Sequence, residues 1–158
     1  MNYIGLIAVK ENSKRFPGKN FTFLDGKELY KHSEDALSGF CDTHVFKSRP
    51  PAASLPEEAI FDVWKWAYKT LDKRYDAVIC IMANCPQHTT EGIKRAVERF
   101  EDLDCDELRS FSEDGSESGL IIMKEAYLLN KYQISTYQGA ITLNSIEIHY
   151  KEDLESIL

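Results

Sequence analysis

The chain has 158 residues, 43% of them hydrophobic and 28% charged, and a formal net charge of −7. That length suits one domain with a real core and is too short for two. The acidic balance argues against nucleic acid or an anionic membrane surface as the main partner, and no apolar run reaches the length of a membrane span.

The first element is the run Tyr3–Val9, continuously apolar, as in a strand covered on both faces. Behind it stands Ser13-Lys14-Arg15-Phe16-Pro17-Gly18-Lys19-Asn20, whose course is set by Pro17 and Gly18. A strand that empties into a loop and then a helix is how an open α/β sheet builds a phosphate site at its carboxyl edge. Backbone N–H groups there can cradle phosphate oxygens while Lys14, Arg15 and Lys19 neutralise their charge. The competing reading is a solvated charged loop. In an acidic chain, the strand–loop–helix setting favours the phosphate site.

Asp25-Gly26 signals a turn, after which Leu29, Ser33, Ala36 and Leu37 outline a short helix. Thr43–Lys47 reads as a second strand, ended by the breaker-rich stretch Arg49–Pro56. Ile60, Val63, Trp64, Ala67 and Leu71 then fall at i, i+3, i+4, i+7 and i+11, one buried helical stripe. Trp64 is read as core; Trp66 lies off the stripe, at a core edge or a partner surface. Asp76–Ala83 is another buried strand, and Thr89 or Thr90 caps a helix in which Ile93, Ala96, Val97 and Phe100 share a face. Asp106–Phe111 and Gly119–Met123 read as strands separated by the polar loop Ser112–Ser118. Lys124–Leu129 reads as a short helix, Ala140–His149 as an extended segment, and Lys151 onward as a terminal helix. Strands alternating with helices predict a largely parallel sheet with helices on both faces.

The cysteines Cys41, Cys80, Cys85 and Cys105 show no C-x-x-C spacing, so neither a zinc knuckle nor a disulfide framework is expected. With no signal peptide in the opening residues, the expected location is a reducing cytoplasm. The carboxylates of Glu101–Glu107 are read as a helix end and a solvated loop. The motifs of zincins, serine hydrolase elbows and P-loop NTPases are absent. A thiol nucleophile at Cys85, near His88, has no identifiable orienting partner.

The stretch Ile7–Asn20 resembles the nucleotide-binding opening of the acylneuraminate cytidylyltransferases, a family that includes CMP-sialic acid synthetases and is related to CMP-Kdo synthetases. That opening reads roughly P-A-R-x-G-S-K-x-x-P-x-K-N and is followed by G-K-P-L; here Gly26-Lys27-Glu28-Leu29 stands in the second place. Tyr75–Ile79 is similar to the family's central strand, and Asn84-Cys85-Pro86-Gln87-His88-Thr89 to its T-S-P-L-R-T turn. Gly119–Met123 resembles its N-G-A-I-Y strand, and Ser145–His149 with Glu152-Asp153-Leu154 its closing S-I-D-I-D-T-x-E-D-L.

The resemblance implies a shortened three-layer α/β/α, Rossmann-like nucleotidyltransferase fold with a mostly parallel sheet, spanning residues 1–158 as a single domain. It implies transfer of CMP from CTP to a sugar acid or similar small-molecule acceptor, with release of pyrophosphate. Lys10, Lys14 and Lys19 would be catalytic; Lys10, Ser13, Lys14, Arg15, Lys19 and Asn20 would bind the nucleotide. Asn84 and His88 would face the acceptor, and Glu147 and His149 a divalent cation, Mg²⁺ or Mn²⁺.

Several positions depart from the family pattern. Lys10 replaces an arginine, keeping a charge and losing the bidentate fork. Glu147 and His149 replace two aspartates, and neutral imidazole is a poor ligand for so hard an ion as Mg²⁺, which Mn²⁺ tolerates better. The alternative places both as ordinary residues on an exposed strand end. His88 replaces an arginine that grips the acidic substrate, and Met82 replaces a glutamine; a turn histidine without a chemical role is the competing reading of His88. The stretches around Lys47–Pro50 and Phe111–Gly119 are too short for the family's S-T-D strand end and for its dimerisation insertion. Two other functions therefore stay open: a non-catalytic nucleotide-binding domain, and a sister nucleotidyltransferase using another NTP.

Overall fold

The structure, a computed structural model, describes residues 1–11, 13–47, 60–130 and 137–158. The stretch at 49–56 read as breaker-rich lies outside them.

The strands are β1 (Tyr3–Ala8), β2 (Phe23–Leu24), β3 (Lys27–Glu28), β4 (Asp42–Phe46), β5 (Ala77–Ile81), β6 (Glu107–Phe111), β7 (Glu117–Lys124) and β8 (Gln138–Thr142). The α-helices are α1 (Leu29–Ser38), α2 (Ile60–Lys69), α3 (Thr90–Leu103), α4 (Glu125–Leu129) and α5 (Lys151–Ser156). Among the described residues a six-stranded sheet runs in the order β4-β1-β5-β7-β6-β8, and β2 pairs with β3 in a small hairpin. The β1–β4, β1–β5 and β6–β8 pairs are parallel, whereas β7 runs antiparallel to both β5 and β6. The sheet is therefore mostly parallel, as expected, with one reversed strand. The reversal follows from the short link between β6 and β7, too brief for the crossover that a parallel neighbour needs.

Alternation along β1 and β5 divides the core. Tyr3, Ile7, Ile79 and Ile81 face a cluster completed by Leu37, Ile93 and Phe100 of α1 and α3. Ile4, Leu6, Val78 and Cys80 face the opposite cluster, with Trp64 and Ala67 of α2 and Leu128 of α4. Cys80 is thus a buried core residue, and Trp66 sits at the core edge, edge-on to Phe46 with centroids 5.7 Å apart. Burying a side chain of this size contributes on the order of 2 kcal/mol, so the two layers outweigh any local propensity. Thr89 is the N-cap of α3, its Oγ1 accepting from the Gly92 N–H at 3.1 Å.

The extended segment expected over Ala140–His149 is corrected. Strand pairing covers only Gln138–Thr142, and the residues beyond it carry no regular structure. Ile148 in that stretch is held elsewhere, in a third small cluster with Leu24, Leu29 and Leu154 against which Phe16 and Ile157 pack.

Candidate active site

The basic loop leaves the end of β1, where Val9 N–H donates to Phe46 O of the neighbouring strand at 2.8 Å. Gly18 takes a positive φ of 69°, a conformation glycine adopts without strain, and starts a 3₁₀ turn over Lys19–Phe21. Asn20 closes the loop from inside: its Nδ2 donates to Lys10 O at 3.0 Å. Phe16 inserts into the third cluster beside Ile148 and Leu154. The Arg15 guanidinium lies 5.6 Å from the centre of the Tyr150 ring. Apolar packing and a cation–π contact thus tie the loop to the segment that precedes α5.

That segment carries Glu147 and His149. Its position is fixed from β5, because Asn84 Nδ2 donates to Ile148 O at 2.9 Å and Ile148 N–H donates to Asn84 O at 2.9 Å. Asn84 Nδ2 also reaches Glu147 Oε1 at 3.3 Å. On the other side, Asp153 Oδ2 accepts from the N–H groups of His149 and Tyr150, each at 2.8 Å. These two bonds hold the Asp153 carboxyl below its ordinary range.

One cleft of about 450 Å³ results, lined by Lys10, Ser13, Lys14, Arg15, Lys19 and Asn20 together with Met82, Asn84, Glu147 and His149. Lys10, Lys14 and Arg15 are exposed, Ser13 and Lys19 are half-buried, and Asn20 is buried. Burial lowers the Lys19 ammonium below its ordinary value; Glu147 opposes the effect, while Arg15 and Lys10 add to it. Glu147 Oε2 lies 3.3 Å from His149 Nε2. Asn20 Oδ1 and His149 Nδ1 are buried without a hydrogen-bond partner among the described residues, two polar atoms left for a ligand or solvent to meet.

His88 is not among the lining residues. Its ring is buried, and Nε2–H donates to Ser118 O at 2.6 Å on β7. Burial lowers its pKa, so it stands as a neutral structural histidine bracing the sheet rather than as an anion-binding group in the cleft. Cys85 is fully buried, and that burial, seconded by Glu147, pushes its thiol up, away from a nucleophilic thiolate.

A second cleft of about 640 Å³, which sequence reasoning missed, adjoins the first through Glu147 and His149. Its other walls come from Gln87, residues 112–114, Ser116, Glu117 and residues 144–146. Asp114-Gly115, a turn dipeptide inside a serine-rich stretch, was the available signal.

No family model matches the sequence, and no curated protein matches it. Solved structures do. A CMP:2-keto-3-deoxy-manno-octonic acid synthetase complexed with CTP is 12% identical, with a TM-score of 0.76 over 99% of this chain and 97% of the other. A cytidylyltransferase from Leptospira borgpetersenii is 14% identical, with a TM-score of 0.68 over 99% of this chain and 85% of the other. Rv0371C of Mycobacterium tuberculosis, solved with manganese, is 9% identical, with a TM-score of 0.64 over 100% of this chain and 98% of the other. These likenesses define the fold: the chain has the Rossmann-like nucleotidyltransferase architecture found in cytidylyltransferases.

Proposed function

We propose that this chain is a nucleotidyltransferase of the cytidylyltransferase type, working as one unit over residues 1–158. The observation that carries the reading is the single cleft in which the cations of the β1 loop share a space with Glu147 and His149. Two of the similar structures are an enzyme solved with CTP and a cytidylyltransferase, and they support CTP as the donor.

In this reading Lys10, Ser13, Lys14, Arg15 and Lys19 grip the triphosphate, and Asn20 offers Oδ1 to a donor on the ribose or base. An acceptor hydroxyl oxygen attacks the α-phosphorus, the bond from that phosphorus to the bridging oxygen of the β-phosphate breaks, and pyrophosphate leaves. The hydroxyl proton goes to water. Positioning and neutralisation of the phosphate charge supply the catalysis.

Glu147 and His149 would hold a divalent cation, and the donor set fits Mn²⁺ better than Mg²⁺: one carboxylate and one imidazole whose buried Nδ1 has no partner among the described residues. When bound, that ion neutralises developing phosphate charge. The four free thiols support a reducing compartment, and among the described residues no helix is long and apolar enough to cross a membrane.

A second reading is a nucleotide-binding domain without turnover. It is favoured by the histidine in the ligand pair and by the absence, among the described residues, of any group of three or more potential metal ligands. Calorimetric titration of CTP, UTP, GTP and ATP with Mn²⁺, Mg²⁺ or chelator separates the readings. CTP binding strengthened by metal, with pyrophosphate release, supports the enzyme. Metal-indifferent binding without release supports the second reading. Preference for another NTP points to the sister activity, and no binding at all removes both.

A further inference from the structure

From the walls of the second cleft we infer that the acceptor is a hydroxylated molecule bearing an amino group, not a sugar acid. The inference rests on the nucleotidyltransferase reading for the word acceptor, but the site itself stands on its own geometry.

Among the described residues that line this cleft, none is a lysine or arginine, and four are carboxylates: Glu113, Asp114, Glu117 and Glu147. A carboxylate ligand would enter against the exposed Glu113 and Asp114, with no lysine or arginine among the described lining residues to receive it. Arg109, on a small adjoining cavity of about 130 Å³, is already engaged. Its guanidinium is clasped by Glu107, bonded to Glu117 Oε1 at 2.9 Å, and lies 5.5 Å from the centre of the Phe61 ring.

A second observation makes this more than an acidic surface. Ser145 lines the cleft and is only 4% exposed, yet its Oγ has no hydrogen-bond partner among the described residues. A buried hydroxyl left unpaired is costly unless a ligand or solvent meets it, and a hydroxyl-bearing ligand can both donate to it and accept from it. The surrounding backbone is braced. Ser112 Oγ donates to Ser145 O at 3.2 Å, Ile146 N–H donates to Gln87 Oε1 at 2.8 Å, and Glu113 N–H donates to Asn144 Oδ1 at 3.0 Å. Asp114 is kept ionised, below its ordinary range, by the Oγ–H and N–H of Ser116.

Glu147 and His149 line both clefts, so an acceptor hydroxyl leaving the second cleft emerges beside the triphosphate site. Glu113 and Asp114, which line the second cleft and not the first, then receive the ammonium group.

The test uses three sugars of one ring size and different charge: D-glucosamine, D-glucose and D-glucuronate. Each is titrated into the full chain while the amide NMR signals of residues 112–116 and 145 are followed. Glucosamine is expected to bind about two- to fivefold more tightly than glucose, and glucuronate least. Glu113→Gln with Asp114→Asn should abolish the glucosamine preference, and Ser145→Ala should weaken all three sugars while leaving the spectrum of the fold intact. Equal binding of glucosamine and glucose, preference for glucuronate, or no binding at these signals overturns the inference. CTP titrated into the same samples reports separately on the Lys14–Lys19 cleft. Sugar selectivity without CTP binding would leave the amino-sugar site standing and remove the transferase reading; CTP binding with glucuronate preference would do the reverse.

Discussion

Asn84 and Ile148 bond to each other twice, side chain to carbonyl and amide to carbonyl, both at 2.9 Å. This pair joins the end of β5 to a segment without regular structure and thereby sets Glu147 and His149 on either side of a fixed residue. Asn84→Ala removes the side-chain half and leaves the buried Ile148 carbonyl unpaired, at a cost of about 1–3 kcal/mol. Thermal unfolding should show a lowered Tm. CTP binding should weaken less than pyrophosphate release, because the cations of the loop stay in place while Glu147 shifts. Equal losses in both would argue against a positioning role.

Lys19 gives the cleft a pH dependence. Its ammonium titrates below the ordinary lysine value, chiefly because it is buried, and only the charged form attracts phosphate. Triphosphate affinity should be full at neutral pH and fall as pH rises through the lowered pKa, earlier than an ordinary lysine would dictate. Arginine stays charged over that range, so Lys19→Arg should move the decline upward. CTP titrations from pH 7 to 10 give the comparison. A decline unmoved by the arginine variant would assign it to another group.

His88 acts on the fold. Its pKa is lowered by burial, so the unfolded chain binds the proton more readily than the folded one. The neutral ring's contribution is fully present above the unfolded histidine value of about 6.5 and is lost as pH falls below it. Urea midpoints should drop between pH 7 and 5, and His88→Gln, which keeps a donor for Ser118 O, should flatten that slope. His88 should remain neutral by NMR at a pH where free imidazole is half protonated.

Gly119 has a φ of +82°, and a Cβ there would lie 2.4 Å from Cys85 Sγ and 3.2 Å from Met82 Cβ. Backbone strain and overpacking together predict about 3 kcal/mol of destabilisation for Gly119→Ala. Adding Cys85→Ala should recover the overpacking share but not the strain. Urea unfolding of the single and double variants measures both, and full recovery would show that the backbone conformation costs nothing.

What the sequence disclosed follows from how local each signal is. The continuous apolar runs of β1 and β5 could be read directly, because a strand covered on both faces needs nothing but burial. The basic loop was equally legible, since its residues are adjacent in the chain and Gly18 sits where the loop takes a positive φ. Direction was not legible: the apolar pattern of β7 has the same period whichever way the strand runs, and only the short link to β6 reverses it. His88 reads from the sequence as facing the acceptor, or as a turn histidine without a chemical role, because Asn84–Thr89 looks like a loop, whereas packing against β7 buries its ring. The second cleft left only the Asp114-Gly115 turn signal in the sequence, because Gln87, Asp114 and Ser145 meet only after three separated segments converge. Glu147 and His149 could be placed opposite the loop only through family resemblance, as no local pattern ties residues 10–20 to residues 147–149.

The small cluster of Phe16, Ile148 and Leu154 divides the labour along the chain. All six strands of the described sheet lie before residue 143, so the scaffold is specified ahead of Glu147 and His149. Without residues 147–154, the cluster against which Phe16 packs keeps only Leu24 and Leu29, and the basic loop loses the wall that faces it. A truncation after Thr142 therefore spares every strand and removes one side of the cleft.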